Sequence, residues 1–139
     1  CAEFADRGYD VAALDRDAGG LDAAFGDGGI AKVPVDLGDA TATAAALEGL
    51  LGGNSGSLAA LACIAGGFGM GPRVEEEDPA EHRRMMEMNF FTALHAIRAV
   101  VPAMRAAGSG CVLTIGALAG VVLAGLGYIA LLFLYFALV

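Results

Sequence analysis

Apolar residues along this chain fall into short dense runs and longer stripes at helical spacing, and the two kinds of segment alternate. The run YDVAALD (9–15) is short, apolar and closed by Asp15, as a buried parallel strand is where its end faces a ligand. A weak, Gly-rich helix over 17–29 leads to a second strand candidate, IAKVPVD (30–36), which ends in Asp36. Residues 39–52 predict a helix capped by Asp39 or Thr41, with Leu47, Leu50 and Leu51 as its apolar face. The linker GGNSGS breaks it, and a third strand is expected within LAALACIAGG (58–67). A Gly/Pro-rich loop and the acidic run EEED (75–78) follow, the latter reading as solvated charge at a helix start. Asp78-Pro79 announces a long helix from about Pro79 to Ala107. On it Phe90, Leu94, Ile97, Val101 and Met104 recur at 4-3-4-3 spacing, which predicts the core face. After the turn AGSG comes a fourth strand candidate, CVLTIGA (111–117). The first eight residues, CAEFADRG, read as the end of an amphipathic helix closed by Gly8, so a start within the fold is expected.

Strands alternating with helices predict one partial α/β domain over 1–139, a doubly wound parallel sheet with helices on both faces. Ligands of such sheets lie outside the carboxyl ends of the strands, which puts Asp15, Asp36, the Ala65-Gly66 turn and Gly116-Ala117 along one edge. A carboxylate at Asp15 can accept both hydroxyls of an adenosine ribose and repels a 2′-phosphate, so it favours NAD over NADP. Arg16 beside it works against that preference. The plainer alternative for Asp15 is a cap on the helix that follows.

Composition narrows the partners. With a net charge of −8 and a single lysine, Lys32, the chain is unsuited to nucleic acid, whose phosphates need clustered Lys and Arg. Cys1, Cys63 and Cys111 have no metal-ligand spacing, and His82 and His95 are far apart, so neither a zinc site nor a disulfide framework is suggested. Reduced, buried thiols in a cytoplasmic protein are the expectation. No apolar signal-peptide core is visible at the start. Arg105 is the final charged residue, and 119–139 (AGVVLAGLGYIALLFLYFALV) has two readings. It is long enough to span a membrane, and it could equally be a loop and a helix (128–139) packed on the sheet. Gly120, Gly125 and Gly127 and the missing basic flank speak against the span.

Taken in order, these segments resemble the short-chain dehydrogenase/reductase family over essentially the whole chain. GYDVAALDRD is similar to the family's second strand with its ribose-binding acid, here Asp15, and VPVDLGD to the third strand. The resemblance implies that Asp36 contacts the adenine amino group and that Leu37 adds a backbone contact. LACIAGG resembles the family's Asn-Asn-Ala-Gly segment, with Ala65 and Gly66 matching and Cys63 and Ile64 in place of the two asparagines. The most specific likeness is MNFFTALHAIRAVVPAMRAAGSGCVLTIGALAG, where Asn89 falls on the helix asparagine that supports a water-linked proton relay. On its own spacing, Asn89 shares a stripe with Ala93, Ala96 and Val100, which predicts an amide facing apolar packing.

The departures are as specific. Ala117 stands where the family has its catalytic Ser. The family's Tyr-x-x-x-Lys has Tyr128 as its nearest counterpart, with Leu132 at the Lys position; a rival alignment puts Leu131 and Tyr135 at the two positions. No Lys follows Lys32, and an unassisted phenol, with a pKa of about 10, is scarcely ionised at pH 7. The family's first strand and pyrophosphate-binding glycine loop would precede Cys1. The resemblance therefore implies a Rossmann-like fold and an oxidoreductase fragment, expected to be inactive as it stands. The family's activity is hydride transfer between NAD(H) and a carbonyl or alcohol carbon of a small-molecule substrate. Homo-oligomers built through the long helix are also implied. Two other readings stay open: a non-catalytic remnant that associates through its helices, and a protein with a C-terminal membrane anchor.

Overall fold

A computed structural model describes residues 1–53, 57–69, 71–73 and 75–115. The strands are β1 (Ala12–Asp15), β2 (Ala31–Pro34), β3 (Ala60–Cys63) and β4 (Cys111–Thr114). The helices are α1 (Ala2–Asp6), α2 (Ala18–Phe25), α3 (Ala40–Gly53), α4 (Pro79–Met86) and α5 (Thr92–Ala107), with a π-helical turn at Glu87–Phe91 joining α4 to α5.

Local chemistry accounts for the helix boundaries. Asp17, Asp39 and Asp78 each accept a hydrogen bond from a backbone N–H one turn inside α2, α3 and α4. Thr41, the other cap candidate for α3, instead donates its own N–H to Asp39. Pro79 occupies the first turn of α4, where a missing N–H costs nothing. At the far end of α5, Gly108 turns left-handed (φ 66°), and the N–H of Ser109 returns to the Met104 carbonyl. Gly110 has no room for a side chain, because a Cβ there would run into Met104.

Both strand pairs are parallel, with Asp15 opposite Pro34 in one and Cys63 opposite Thr114 in the other. The doubly wound sheet expected from the pattern is thus present as two parallel pairs, β1-β2 and β3-β4. The N–H groups of Ala31 and Val35 donate to Val11 and Asp15, so odd-numbered residues of β2 face β1. Pro34 then points its ring nitrogen at the outer edge, where no donor is required. The same alternation turns the peptide groups of Ala12 and Leu14, and of Ala60 and Ala62, toward the edges away from β2 and β4. Among the described residues no strand pairs with those edges.

One core serves both pairs. Leu47 of α3 packs with Ala96, Val100 and Met104 of α5, and Leu14 of β1 and Leu61 of β3 rest on the same cluster. The core stripe of the long helix is therefore Ala96–Val100–Met104, which corrects the expected one: Phe90 is 50% exposed, and Leu94, Ile97 and Val101 are half-buried. The π turn accounts for Phe90 alone, since its extra residue shifts the side chains before α5 around the axis; within α5 the core side is the one that packs on Leu47 of α3. β4 is also a correction, since Val112, Leu113 and Ile115 are exposed among the described residues where a buried strand was expected. Gly116–Ala117, Tyr128 and the whole apolar tail lie outside the described residues.

Candidate cofactor site

The loops at the carboxyl ends of β2 and β3 meet the middle of one helical rod, formed by α4, the π turn and α5. The loop after β2 carries Asp36 and Leu37, and it is fixed at several points. Asp36 Oδ1 accepts the Gly38 N–H at 2.9 Å, its carbonyl accepts the Asp39 N–H at 3.0 Å, and Thr43 Oγ1 donates to that carbonyl at 3.4 Å. Thr43 is fully buried in α3, so this tie reaches into the protein. From the other side, His95 Nδ1 on α5 lies 3.0 Å from the Leu37 carbonyl oxygen. A carbonyl can only accept, so Nδ1 carries the hydrogen and donates.

The loop after β3 carries Ala65, Gly66 and Gly67, all exposed. Asn89, in the π turn, accepts the Gly67 N–H on Oδ1 at 2.9 Å and donates from Nδ2 to the Met85 carbonyl at 3.0 Å. Gly66 allows this close docking: a Cβ on it would lie 2.6 Å from Asn89 Oδ1. Asn89 is exposed and faces this loop, which corrects the expectation that its amide sits in apolar packing. Asn89 and His95 are six residues apart, about 9 Å along a helix axis. One rod therefore spaces the two loops.

Asp15 ends β1 beside them, with the Val35 N–H on its backbone carbonyl at 2.9 Å, one residue before Asp36. One carboxylate oxygen accepts the Asp17 N–H at 2.9 Å; the cap of α2 is Asp17, not Asp15. Both Asp15 and Arg16 are exposed, and a shallow hollow of about 280 Å³ opens between Asp15 and α2. The groups present suit an adenosine: an accepting carboxylate at Asp15 with one oxygen not engaged by Asp17, a second accepting carboxylate at Asp36, and bare glycine backbone at Gly66.

Cys63, at the end of β3, is half-buried, and burial raises the pKa of its thiol above the ordinary value, so it stays protonated at neutral pH. Cys1 and Cys111 are exposed and unpaired in disulfides, not buried as expected. Among the described residues no group of three or more His, Cys, Asp or Glu is placed to hold a metal ion. Nor is any described helix long and apolar enough to cross a membrane.

Five of the seven residues singled out from the sequence are thus brought to one edge in contact with named partners: Asp15, Asp36, Leu37, Gly66 and Asn89. Ala65 lies on the same loop without a polar contact of its own, and Tyr128 lies outside the described residues. His95 and Thr43 were missed. The available signal was the single histidine of the helix over 92–107 and a threonine one turn into the helix after Asp36.

Comparison with known proteins agrees with this layout. A family model for the short chain dehydrogenase matches residues 1–129. A search of the curated proteins finds no match. Among solved structures, a metagenomic short-chain oxidoreductase in complex with NADP is 30% identical at a TM-score of 0.76, over 86% of this chain and 56% of that one. Serine dehydrogenase from Escherichia coli is 24% identical at 0.74 over 86% and 56%, and ElxO with NADP bound is 16% identical at 0.77 over 86% and 50%. At 24% and 16% identity, these last two speak for the fold alone. The chain spans about half the length of the structures it resembles. The family match over most of the chain, together with the parallel strands and helices of a Rossmann-type fold, places it: this chain belongs to the short-chain dehydrogenase family.

Proposed function

We propose that this chain forms the adenosine-binding side of a nicotinamide-dependent oxidoreductase. Asp15 would accept the hydroxyls of the adenosine ribose, Asp36 and Leu37 would hold the adenine, and the Ala65–Gly66 backbone would pass beneath the rest of the cofactor. The observation that carries this reading is the convergence of the Asp36–Leu37 and Gly66–Gly67 loops on one helix, through His95 and Asn89, beside the exposed carboxylate of Asp15. When bound, the dinucleotide supplies hydride to, or takes it from, a carbonyl or alcohol carbon of a small-molecule substrate.

The protein's own contribution to that reaction is weakened. Ala117 has no hydroxyl to hold a substrate oxygen, and Leu132 cannot lower the pKa of Tyr128, the residue that would carry the proton. Hydride transfer by this chain is accordingly slow or absent, although the cofactor still binds.

NAD is favoured by Asp15, because a 2′-phosphate beside that carboxylate is repelled. Arg16, exposed next to it, would attract the same phosphate, and NADP is the cofactor held in two of the similar structures. The preference therefore rests on Asp15 alone. Titrating NADH and NADPH by fluorescence against the chain, Asp15→Ala and Arg16→Ala tests both statements. Binding that Asp15→Ala weakens supports the site, while equal or absent binding in chain and variant removes it. We also propose self-association through the exposed Phe90 and the half-buried Leu94, Ile97 and Val101. A clean monomer at micromolar concentration in sedimentation would remove that part.

A further inference from the structure

Two carbonyls on successive residues of the loop after β2 are held from different helices: that of Asp36 by Thr43 of α3, and that of Leu37 by His95 of α5. The second tie joins residues 58 positions apart and is the more consequential. The loop's own turn uses the Asp36 side chain and carbonyl, and among the described residues the Leu37 carbonyl accepts from His95 and from no backbone N–H. The His95 ring is half-buried and leans on Phe91, with ring centroids 6.1 Å apart at 38°. Its position is therefore set by packing before it meets the loop. Six residues earlier, Asn89 holds the Gly66–Gly67 loop from the same rod.

From this we propose that His95 is a positioning residue for the adenine half of the cofactor site. By donating from Nδ1 to the Leu37 carbonyl, it sets the height of the Asp36–Gly38 loop relative to α5, and so relative to the loop that Asn89 holds. This rests on the reading of Asp36 and Leu37 as adenine contacts. It goes beyond it by naming a residue that touches no cofactor and yet sets the affinity for one half of it.

The tie makes a demand that requires no variant. A free neutral imidazole carries its hydrogen mostly on Nε2, whereas this contact requires it on Nδ1. A long-range ¹H–¹⁵N spectrum of the full chain with the ring neutral should place the hydrogen of His95 on Nδ1; an Nε2–H tautomer overturns the proposal. Two variants then separate positioning from bulk packing. His95→Leu keeps apolar volume and removes the donor, and His95→Asn keeps a donor near the Nδ1 position. Hydrogen exchange at the Gly38 and Asp39 amides should speed up about two- to thirteenfold in His95→Leu, the range set by one net hydrogen bond, and return toward the parent rate in His95→Asn. The Gly67 amide should not change in either. Exchange that is unchanged at Gly38 and Asp39, or raised equally at Gly67, contradicts the proposal.

Ligand binding supplies the functional arm. AMP and NADH should weaken by the same factor in His95→Leu and recover in His95→Asn, while nicotinamide mononucleotide is unaffected; weakening of all three alike contradicts a role confined to the adenine half. If the parent chain binds none of them, the cofactor reading fails and the adenine-positioning proposal falls with it. The tautomer and exchange results would still decide whether the loop is clamped.

Discussion

Replacing Gly66 with alanine puts a single methyl group into the contact that joins the β3 loop to the helix. The Cβ would stand 2.6 Å from Asn89 Oδ1 and 3.7 Å from its Cγ, nearer than carbon and oxygen tolerate, so the asparagine must swing away. In doing so it gives up the 2.9 Å bond from the Gly67 N–H and the 3.0 Å bond to the Met85 carbonyl. Each is worth about 0.5–1.5 kcal/mol net, and water can reach both, so the loss is about 1–2 kcal/mol in all. Against it stands a gain of about 0.4–1 kcal/mol, because alanine narrows the unfolded ensemble and Gly66 does not require a positive φ. The single variant should therefore destabilise the fold by between about zero and about 1.6 kcal/mol, a poor discriminator by itself. The cycle with Asn89→Ala discriminates. Once the amide is gone the methyl has nothing to strike, and Gly66→Ala should become neutral or stabilising in that background. The coupling energy should be at least about 1 kcal/mol, which urea denaturation of the four proteins resolves. Additive effects within about 0.3 kcal/mol would refute the claim that Gly66 is bare in order to admit Asn89.

Other expected outcomes follow from packing, backbone pairing and titration. Val100, 1% exposed at the centre of the shared core, should cost about 1.5–2.5 kcal/mol as Val100→Ala, from about 1.6 kcal/mol of lost burial plus a cavity term, partly offset by alanine's helix propensity; thermal or urea unfolding reads this. Amide exchange along β1 and β3 should alternate, with Leu14 and Ala62 fast and Ala13 and Leu61 slow, since only the latter pair bond to β2 and β4; uniform protection would mean that both edges are paired. Because burial raises the Cys63 pKa, the native state holds that proton more tightly than the unfolded chain does. The associated stability is fully present below the unfolded thiol pKa of about 8.5 and is lost as pH rises through the higher folded value, so a Cys63→Ala variant should show a flatter alkaline stability profile. Iodoacetamide should label exposed Cys1 and Cys111 before Cys63.

What the sequence discloses about this fold is what short-range pattern encodes. Apolar runs ending in Asp15 and Asp36 mark β1 and β2, and Asp-Pro marks the start of α4, because these features depend on neighbours a few residues away. The face of the long helix departs from the expected stripe because the side of α5 that is buried is set by packing on Leu47 of α3, and because Phe90 lies in the turn at Glu87–Phe91, whose extra residue a fixed 3.6-residue period has no place for. Asn89 illustrates the same limit: its stripe with Ala93, Ala96 and Val100 suggested an apolar setting, yet the π turn directs it to the Gly67 amide. His95 and Leu37 stand 58 residues apart, and only the packing of α5 beside the loop after β2 brings them together. The exposure of Cys111 and of the β4 side chains likewise depends on which elements cover an edge, a tertiary fact that composition does not carry.

The central claim is that adenosine binds where the Asp15, Asp36–Leu37 and Ala65–Gly67 segments converge. Mapping amide chemical-shift changes of the ¹⁵N-labelled chain during titration with NADH tests it most directly. The account expects saturable shifts concentrated at Arg16–Asp17, Leu37–Asp39 and Ala65–Gly67, with Asp15→Ala abolishing those at Arg16–Asp17 first. No shifts up to millimolar NADH, or shifts centred on other segments such as α1 or α4, would contradict it.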